Sequence, residues 1–195
     1  MSSARQERAQ AAKLPDDDVI AVLLRQHALI RDLFAEVRDA RGGRPRQEAF
    51  DALRALLTVH ETAEEMILRP VATDTAGEAE AEARNQEEKA ANQVLAELER
   101  MDVSGPEFDA LLRRFEKDVV AHAEHEEREE FPAVLQECPE TRRRRLGGQL
   151  RLVEKLAPTH PHPRTAGSPT AQWVVGPFAA MLDRTRDALG RVTDR

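Results

Sequence analysis

One pattern, written twice, constrains this chain more than any other feature: His60-x-x-x-Glu64 and His122-x-x-x-Glu126. On a helix, residues four apart leave the same face, about 5–6 Å apart at Cβ. Among 36 acidic residues a single such pair would mean little. Each pair, however, falls inside the apolar stripe of its own segment. One stripe runs Phe50, Leu53, Leu57, His60, Glu64, Ile67, and the other Phe108, Leu111, Phe115, Val119, His122, Glu126, Ala133. Stripes at steps of three and four are the faces that helices bury. Two inward His/Glu pairs on facing helices of a bundle are how a chain builds a two-metal carboxylate site.

Two further segments complete a set of four. Asp16, Asp17 and Asp18 supply an N-cap and a negative first turn for a helix with the stripe Ile20, Leu23, His27, Ile30, Phe34, Val37, closed by Gly42-Gly43 and Pro45. The His60 helix is expected to end before Pro70, with a loop from Thr73 to Gly77. A third helix, about 78–101, has its best stripe at Glu88, Ala91, Leu95 and Leu98, and Ser104-Gly105-Pro106 separates it from the fourth. Helices of this length joined by short loops pack as antiparallel neighbours. The expected fold is therefore all-α, an up-down-up-down four-helix bundle over residues 16–138.

Outside the bundle, residues 1–15 read as a disordered polar leader and 139–157 as a short extra helix weakened by Gly147-Gly148. Residues 158–195 read as a Pro-rich strap followed by a C-terminal amphipathic helix. That helix starts at Pro177, with Phe178, Met181, Leu182 and Leu189 on the face that docks on the bundle.

Composition narrows the function. A net charge of −7 argues against a nucleic-acid binder. No apolar run approaches a bilayer span, so no membrane partner is expected. The polar N-terminus lacks a secretory h-region, and the lone Cys138 excludes an internal disulfide framework. A cytoplasmic location is the economical reading.

His27, His60 and His122 each sit mid-stripe in a different helix. A core histidine is often a hydrogen-bonded structural residue, but here two of the three bring a glutamate one turn later. An unpaired buried carboxylate loses its charge or destabilises the fold. No Lys or Arg is found at the matching stripe positions, so a cation is the simplest partner for Glu64 and Glu126. Helix three offers Glu88, the ionisable residue of its stripe at ligand level, against the alternative that it is one of many solvated acids between Glu78 and Glu99. Asn92 is a neighbour or weak ligand. His125 lies one position off the stripe and reads as a rim residue. His160 and His162 read as part of a flexible linker, Arg142 to Arg145 as a solvated basic face, and Cys138 as chemically silent.

Taken together, His27, then His60-x-x-x-Glu64, then His122-x-x-x-Glu126 followed by Phe131-Pro132, resembles the HHE cation-binding domain of the hemerythrin family. The resemblance covers about residues 16–138. It implies a four-helix bundle holding two non-haem iron ions, with manganese as an alternative metal, bridged by Glu64 and Glu126 and terminally bound by His27, His60 and His122. Where the family usually places a histidine on helix three, this chain has Glu88. Oxygen-carrying hemerythrins use five histidines, whereas three are available here.

Three His and three Glu are nearer the donor set of ferritin-like di-iron proteins than that of an O₂ carrier. Anionic oxygen donors favour the ferric state. The expectation is a di-iron protein reacting with O₂, NO or peroxide in sensing or oxidative-stress defence. A di-iron oxidase or oxygenase acting on a small organic substrate is the alternative, and an interaction scaffold with vestigial ligands is a third possibility. The chain has no tyrosine, which excludes a tyrosyl radical or tyrosinate ligand.

Overall fold

Asp18 sets the first long helix. Its carboxylate accepts the backbone N–H of Ile20 (3.0 Å), capping α2 (Val19–Asp39), as the run of three aspartates suggests. The computed structural model describes residues 3–154. The other long elements are α3 (Gly43–Ala63), α5 (Glu78–Leu98) and α6 (Pro106–His125). Gly42 and Gly77 make the turns into α3 and α5 at φ of 85° and 99°, where a side chain would be strained. Among the described residues there is no strand, and no helix is long and apolar enough to cross a membrane.

Side-chain contacts fix the directions. Arg46 donates to the Val37 carbonyl near one end of the α2/α3 pair, and His60 meets Gln26 near the other, so the two helices run antiparallel. Arg54–Glu99 and Asn92–Glu61 likewise set α5 antiparallel to α3. The four long helices form the expected up-down-up-down bundle.

The bundle core is divided in two. One apolar cluster holds Phe34, Phe50, Leu53, Leu57, Leu95, Phe108 and Phe115; the other holds Val19 to Leu24, Leu68, Val71, Phe131 and Val134. Between them lies a layer of buried polar groups. In α2 the break between clusters falls at His27, in α3 at His60, and at the end of α6 at His122 and the following Glu126.

Three expectations need correction. The His60 helix does not stop before Pro70. After Ala63 it widens into a π turn, Glu64–Leu68, and continues as α4 (Arg69–Ala76). Pro70 has no N–H, and in a regular helix its ring would press on a carbonyl four residues back. The wider turn absorbs that conflict. The same device recurs at Glu126–Glu130, leading through Pro132 into α7 (Phe131–Glu137).

The leader is not disordered over its described part: Ala4–Ala11 forms α1, which packs on α2. Glu7 is fully buried there and accepts a 2.5 Å hydrogen bond from Arg31, while Ala11 joins the apolar cluster. Sequence polarity concealed this, because the buried acid carries its own partner on the next helix.

The extra helix is sound rather than weakened. α8 (Glu140–Glu154) packs on α2 and α3, with Gly147 against the backbone of Asp17 just before α2. Arg143, expected on a solvated face, is buried and donates to Asp18 and to the carbonyl of Cys138. The strap and terminal helix expected over 158–195, with His160 and His162, lie outside the described residues.

A Cβ at Gly147 would stand 2.1 Å from the Asp17 carbonyl oxygen, while one at Gly148 would meet nothing within 4 Å. Gly→Ala inside a helix normally stabilises by about 0.5–1 kcal/mol. Gly148→Ala is therefore expected to hold or raise the melting temperature, and Gly147→Ala to lower stability by about 1–3 kcal/mol through overpacking. Equal melting curves for the two variants would show that α8 does not approach Asp17.

Candidate metal centre

The polar layer gathers its side chains from α2 (His27), α3 and its π turn (His60, Glu64), α5 (Glu88), and α6 and its π turn (His122, Glu126). Their donor atoms fall into two groups, each with all atoms within 4.8 Å of one another. The first is His27, His60, Glu64 and Glu126; the second is Glu64, Glu88, His122 and Glu126. All six residues singled out in the sequence are thus brought together, and Glu64 and Glu126 belong to both groups.

The histidines are oriented alike. His27 donates Nδ1–H to Glu127 (3.0 Å), His60 to Gln26 (2.8 Å) and His122 to Glu87 (2.9 Å). Fixing Nδ1–H in this way turns each Nε2 inward, the arrangement found in metal-bound imidazoles. His27 Nε2 lies 3.4 Å from Glu126, His60 Nε2 3.5 Å from Glu64 and His122 Nε2 3.4 Å from Glu126. Glu64 and Glu126 have no exposed surface, and none of their four carboxylate oxygens has a well-formed hydrogen bond. His27 Nε2 and His122 Nε2 are in the same condition. Buried polar atoms facing one another without partners are what a cation would satisfy, so the residues present fit bound metal.

One cation is already built in. Arg69, the first residue of α4, is buried and donates to Glu88 and to Glu130 (2.6 Å), with Glu126 at 3.5 Å. This corrects the expectation that no Arg or Lys neutralises the acids. The π turn is the reason. It carries one extra residue, so the Arg69 N–H bonds to the Glu64 carbonyl and Arg69 takes the place above Glu64 that α-helical counting gives to Leu68. Arg69 holds one Glu88 oxygen, and the other, Oε2, is buried without a partner within the second group.

Gln26, Glu87, Glu127 and Glu130 were missed in the sequence as well. Gln26, Glu87 and Glu127 each lie beside a stripe residue, and Glu130 falls at stripe spacing between Glu126 and Ala133 but within the acidic run Glu126–Glu130, where little local distinguishes it. Glu61 is buried too, and it accepts from Asn92, which accordingly serves as its partner. His125 is a rim residue as expected, with Nδ1 3.3 Å from Glu87 and outside both donor groups.

In the metal-free cluster, protons do part of the work of cations. Burial pulls the His27 pKa down, but contacts to Glu126 and Glu127 outweigh it and hold it at about 9. His122 is likewise raised well above its usual value against burial, chiefly by the Glu126 charge. Burial, together with the His27 charge, drives His60 down to about 3. Burial and the neighbouring Glu126 push Glu64 well up, while the histidine contacts hold Glu126 well below the usual range despite its burial. Glu130 is raised to about 7 by burial and the Glu126 charge.

Comparison with known proteins places this geometry. The family model for the hemerythrin HHE cation binding domain matches residues 18–134, a span containing all six donors. An uncharacterized hemerythrin-like protein of Schizosaccharomyces pombe is 25% identical over 136 residues, 68% of this chain and 67% of that protein. A DNA nickase of Nostoc is 26% identical over 125 residues, 64% of this chain but 36% of the nickase, the extent of a shared domain. Among solved structures, an HHE cation binding domain-containing protein from Mycobacterium kansasii superposes with a TM-score of 0.62 at 22% identity, covering 86% of this chain and 98% of that one. This last likeness speaks for the fold.

The protonation pattern predicts how the metal-free protein responds to pH. His27, raised from 6.5 to about 9, contributes stability that is complete below pH 6.5 and is lost as pH rises through 9. His122, Glu64 and Glu130 are also raised and act in the same direction, whereas His60, at about 3, has no transition in this window. Metal-free protein is therefore expected to lose stability between pH 6.5 and 9, by on the order of 3 kcal/mol from His27 alone. Metal binding displaces these protons, so metal affinity rises over the same range. Thermal melts of chelated protein across the window test the point; a melting temperature that climbs with pH would show that the cluster does not hold protons in this way.

Proposed function

The chain belongs to the hemerythrin family as a protein built on the HHE cation-binding domain, and on that footing we propose that it holds two non-haem iron ions and reacts with O₂, NO or peroxide. One observation carries this reading: the two donor groups share both Glu64 and Glu126, which is the pattern of a carboxylate-bridged metal pair. Mixed imidazole and carboxylate donors suit iron, with manganese the nearest alternative.

His27 and His60 would hold one ion, and His122 and Glu88 the other, with Glu64 and Glu126 available to both. Bound in the reduced state, such a pair would supply electrons to O₂, NO or peroxide. The protein's part is to hold the imidazoles through Glu127, Gln26 and Glu87, and to flank them with an apolar cluster on either side. Glu88, where an imidazole would add no charge, favours the oxidised ions. Arg69 offsets part of that charge and keeps the carboxylate directed. This balance favours consumption of an oxidant in sensing or oxidative-stress defence over reversible carriage of O₂.

About two irons per chain are expected from elemental analysis of protein made with ample iron, and His60→Ala and His122→Ala should each lower iron content and melting temperature together. The reduced protein should react with O₂ to a stable oxidised state that degassing does not reverse. Glu88→His should raise the reduction potential and make the reaction more reversible. Full recovery of the reduced native protein on degassing, or an unchanged potential in the variant, would remove Glu88 from the ligand set.

A further inference from the structure

A cavity of about 280 Å³ opens beside the metal-facing histidines. His27, His60, His122 and Glu88 line its inner end, and Ile30, Leu57, Ala91, Val94, Phe115 and Val119 form its walls. Its mouth lies between α5 and α6, where the exposed residues Ala90, Asp118 and Ala121 also line it. A diatomic molecule or a water needs only a small part of this volume, since the share of one water in the liquid is about 30 Å³. An apolar cavity of about 150 Å³ is enough to take up benzene. The space is therefore too large to be explained by O₂, NO or peroxide.

We infer that this cavity is a binding site for a small neutral apolar molecule, of about one aromatic ring up to a fused pair, seated against the histidine side of the metal centre. The inference deepens the proposed function by giving that centre an organic ligand. Size sets the upper limit, and wall chemistry sets the class. Glu61, Glu87, Glu88 and Asp118 line the cavity, and its basic groups are already engaged, Arg31 by Glu7, His27 by Glu126 and Glu127, and His122 by Glu87 and Glu126, so an anion is disfavoured. An organic cation gains little, because Glu61 is bonded to Asn92, Glu87 to His122 and Glu88 to Arg69. What remains is apolar contact, supplied by side chains from all four long helices.

The test uses the full chain, metal-free and iron-loaded, titrated with benzene, indole and benzoate. Saturable binding of benzene and indole is expected, with benzoate at least tenfold weaker. Methyl NMR signals of Ile30, Leu57, Val94 and Val119 should shift together. Ala91→Phe, which fills the wall, should weaken ring binding at least tenfold while iron per chain stays at the native value. Absence of saturable ring binding, shifts confined to other methyls, or benzoate binding as well as benzene would overturn the inference; so would undiminished binding in a folded Ala91→Phe protein. If that variant does not fold, the methyl shifts of the native chain decide. Iron content reports separately on the metal reading: iron without ring binding removes only the cavity ligand, and ring binding without iron removes only the metal pair.

Discussion

Two carboxylates that cannot be left alone, Glu64 and Glu126, determine what the rest of the bundle must do. Both are fully buried near the middle of their helices, and the effective cost of burying an ion is several kcal/mol even after the protein relaxes. His27 and His122 lean on Glu126, Arg69 leans on Glu88, Glu126 and Glu130, and Glu64 is left for a proton or a cation. The apolar clusters above and below offset this layer and close off its two ends. On one side the edge-to-face pairs Phe34–Phe115 (5.8 Å) and Phe50–Phe108 (5.1 Å) tie opposing helices together, at about 0.5–1.5 kcal/mol each beyond buried area. An imidazole-carboxylate layer between two packed hydrophobic clusters is thus held in place from both ends.

The π turns translate this layer into sequence. Each begins at a shared glutamate and ends just before a proline-containing turn, so the chain reads His60…Glu64…Pro70 and His122…Glu126…Pro132. Each extra residue rotates everything after it by about 100° relative to a regular helix. The helical half before the turn aims the His/Glu pair inward, and the half after it is free to present a different face.

That rotation also explains what could be read in the sequence and what could not. The apolar stripes of the four long helices, in α3 and α6 as far as the π turn, keep a 3.6-residue period, and they placed the three histidines and Glu64, Glu88 and Glu126 on the faces where the structure buries them. The phase breaks at Glu64, and beyond it stripe counting no longer identified Arg69 as an inward residue. Pro70 looked like a stop because a proline inside a regular helix is one, and the wider turn that accommodates it leaves no mark of its own in composition. The leader helix was hidden for another reason: Glu7 is buried by pairing with Arg31, which is 24 residues away, and pairing at that distance has no local signature. Gly147 was read through its weak helix propensity, when its role is to let the Asp17 backbone approach.

The two halves of the repeat end differently, and this makes the two donor groups inequivalent. The residue preceding proline is Arg69 in one half and Phe131 in the other. Phe131 stacks on His27 at 5.5 Å and 16°, giving the His27/His60 position an aromatic, uncharged cover. Arg69 covers the opposite position, where Glu88 adds a third carboxylate and His122 is the single imidazole. Under the proposed reading, one ion sits among two imidazoles and two shared carboxylates with an apolar ceiling. The other sits among one imidazole and three carboxylates with a guanidinium close by. Extra anionic ligation favours the higher oxidation state at the Glu88 position, and Arg69 limits how far that preference goes. The cavity reaches all three histidines, so a ligand there meets the site from its imidazole side, away from the Arg69 contacts with Glu126 and Glu130. A sequence that repeats its His/Glu pairs but not the residue that follows them thereby builds two donor groups that share Glu64 and Glu126 and sit in different electrostatic environments.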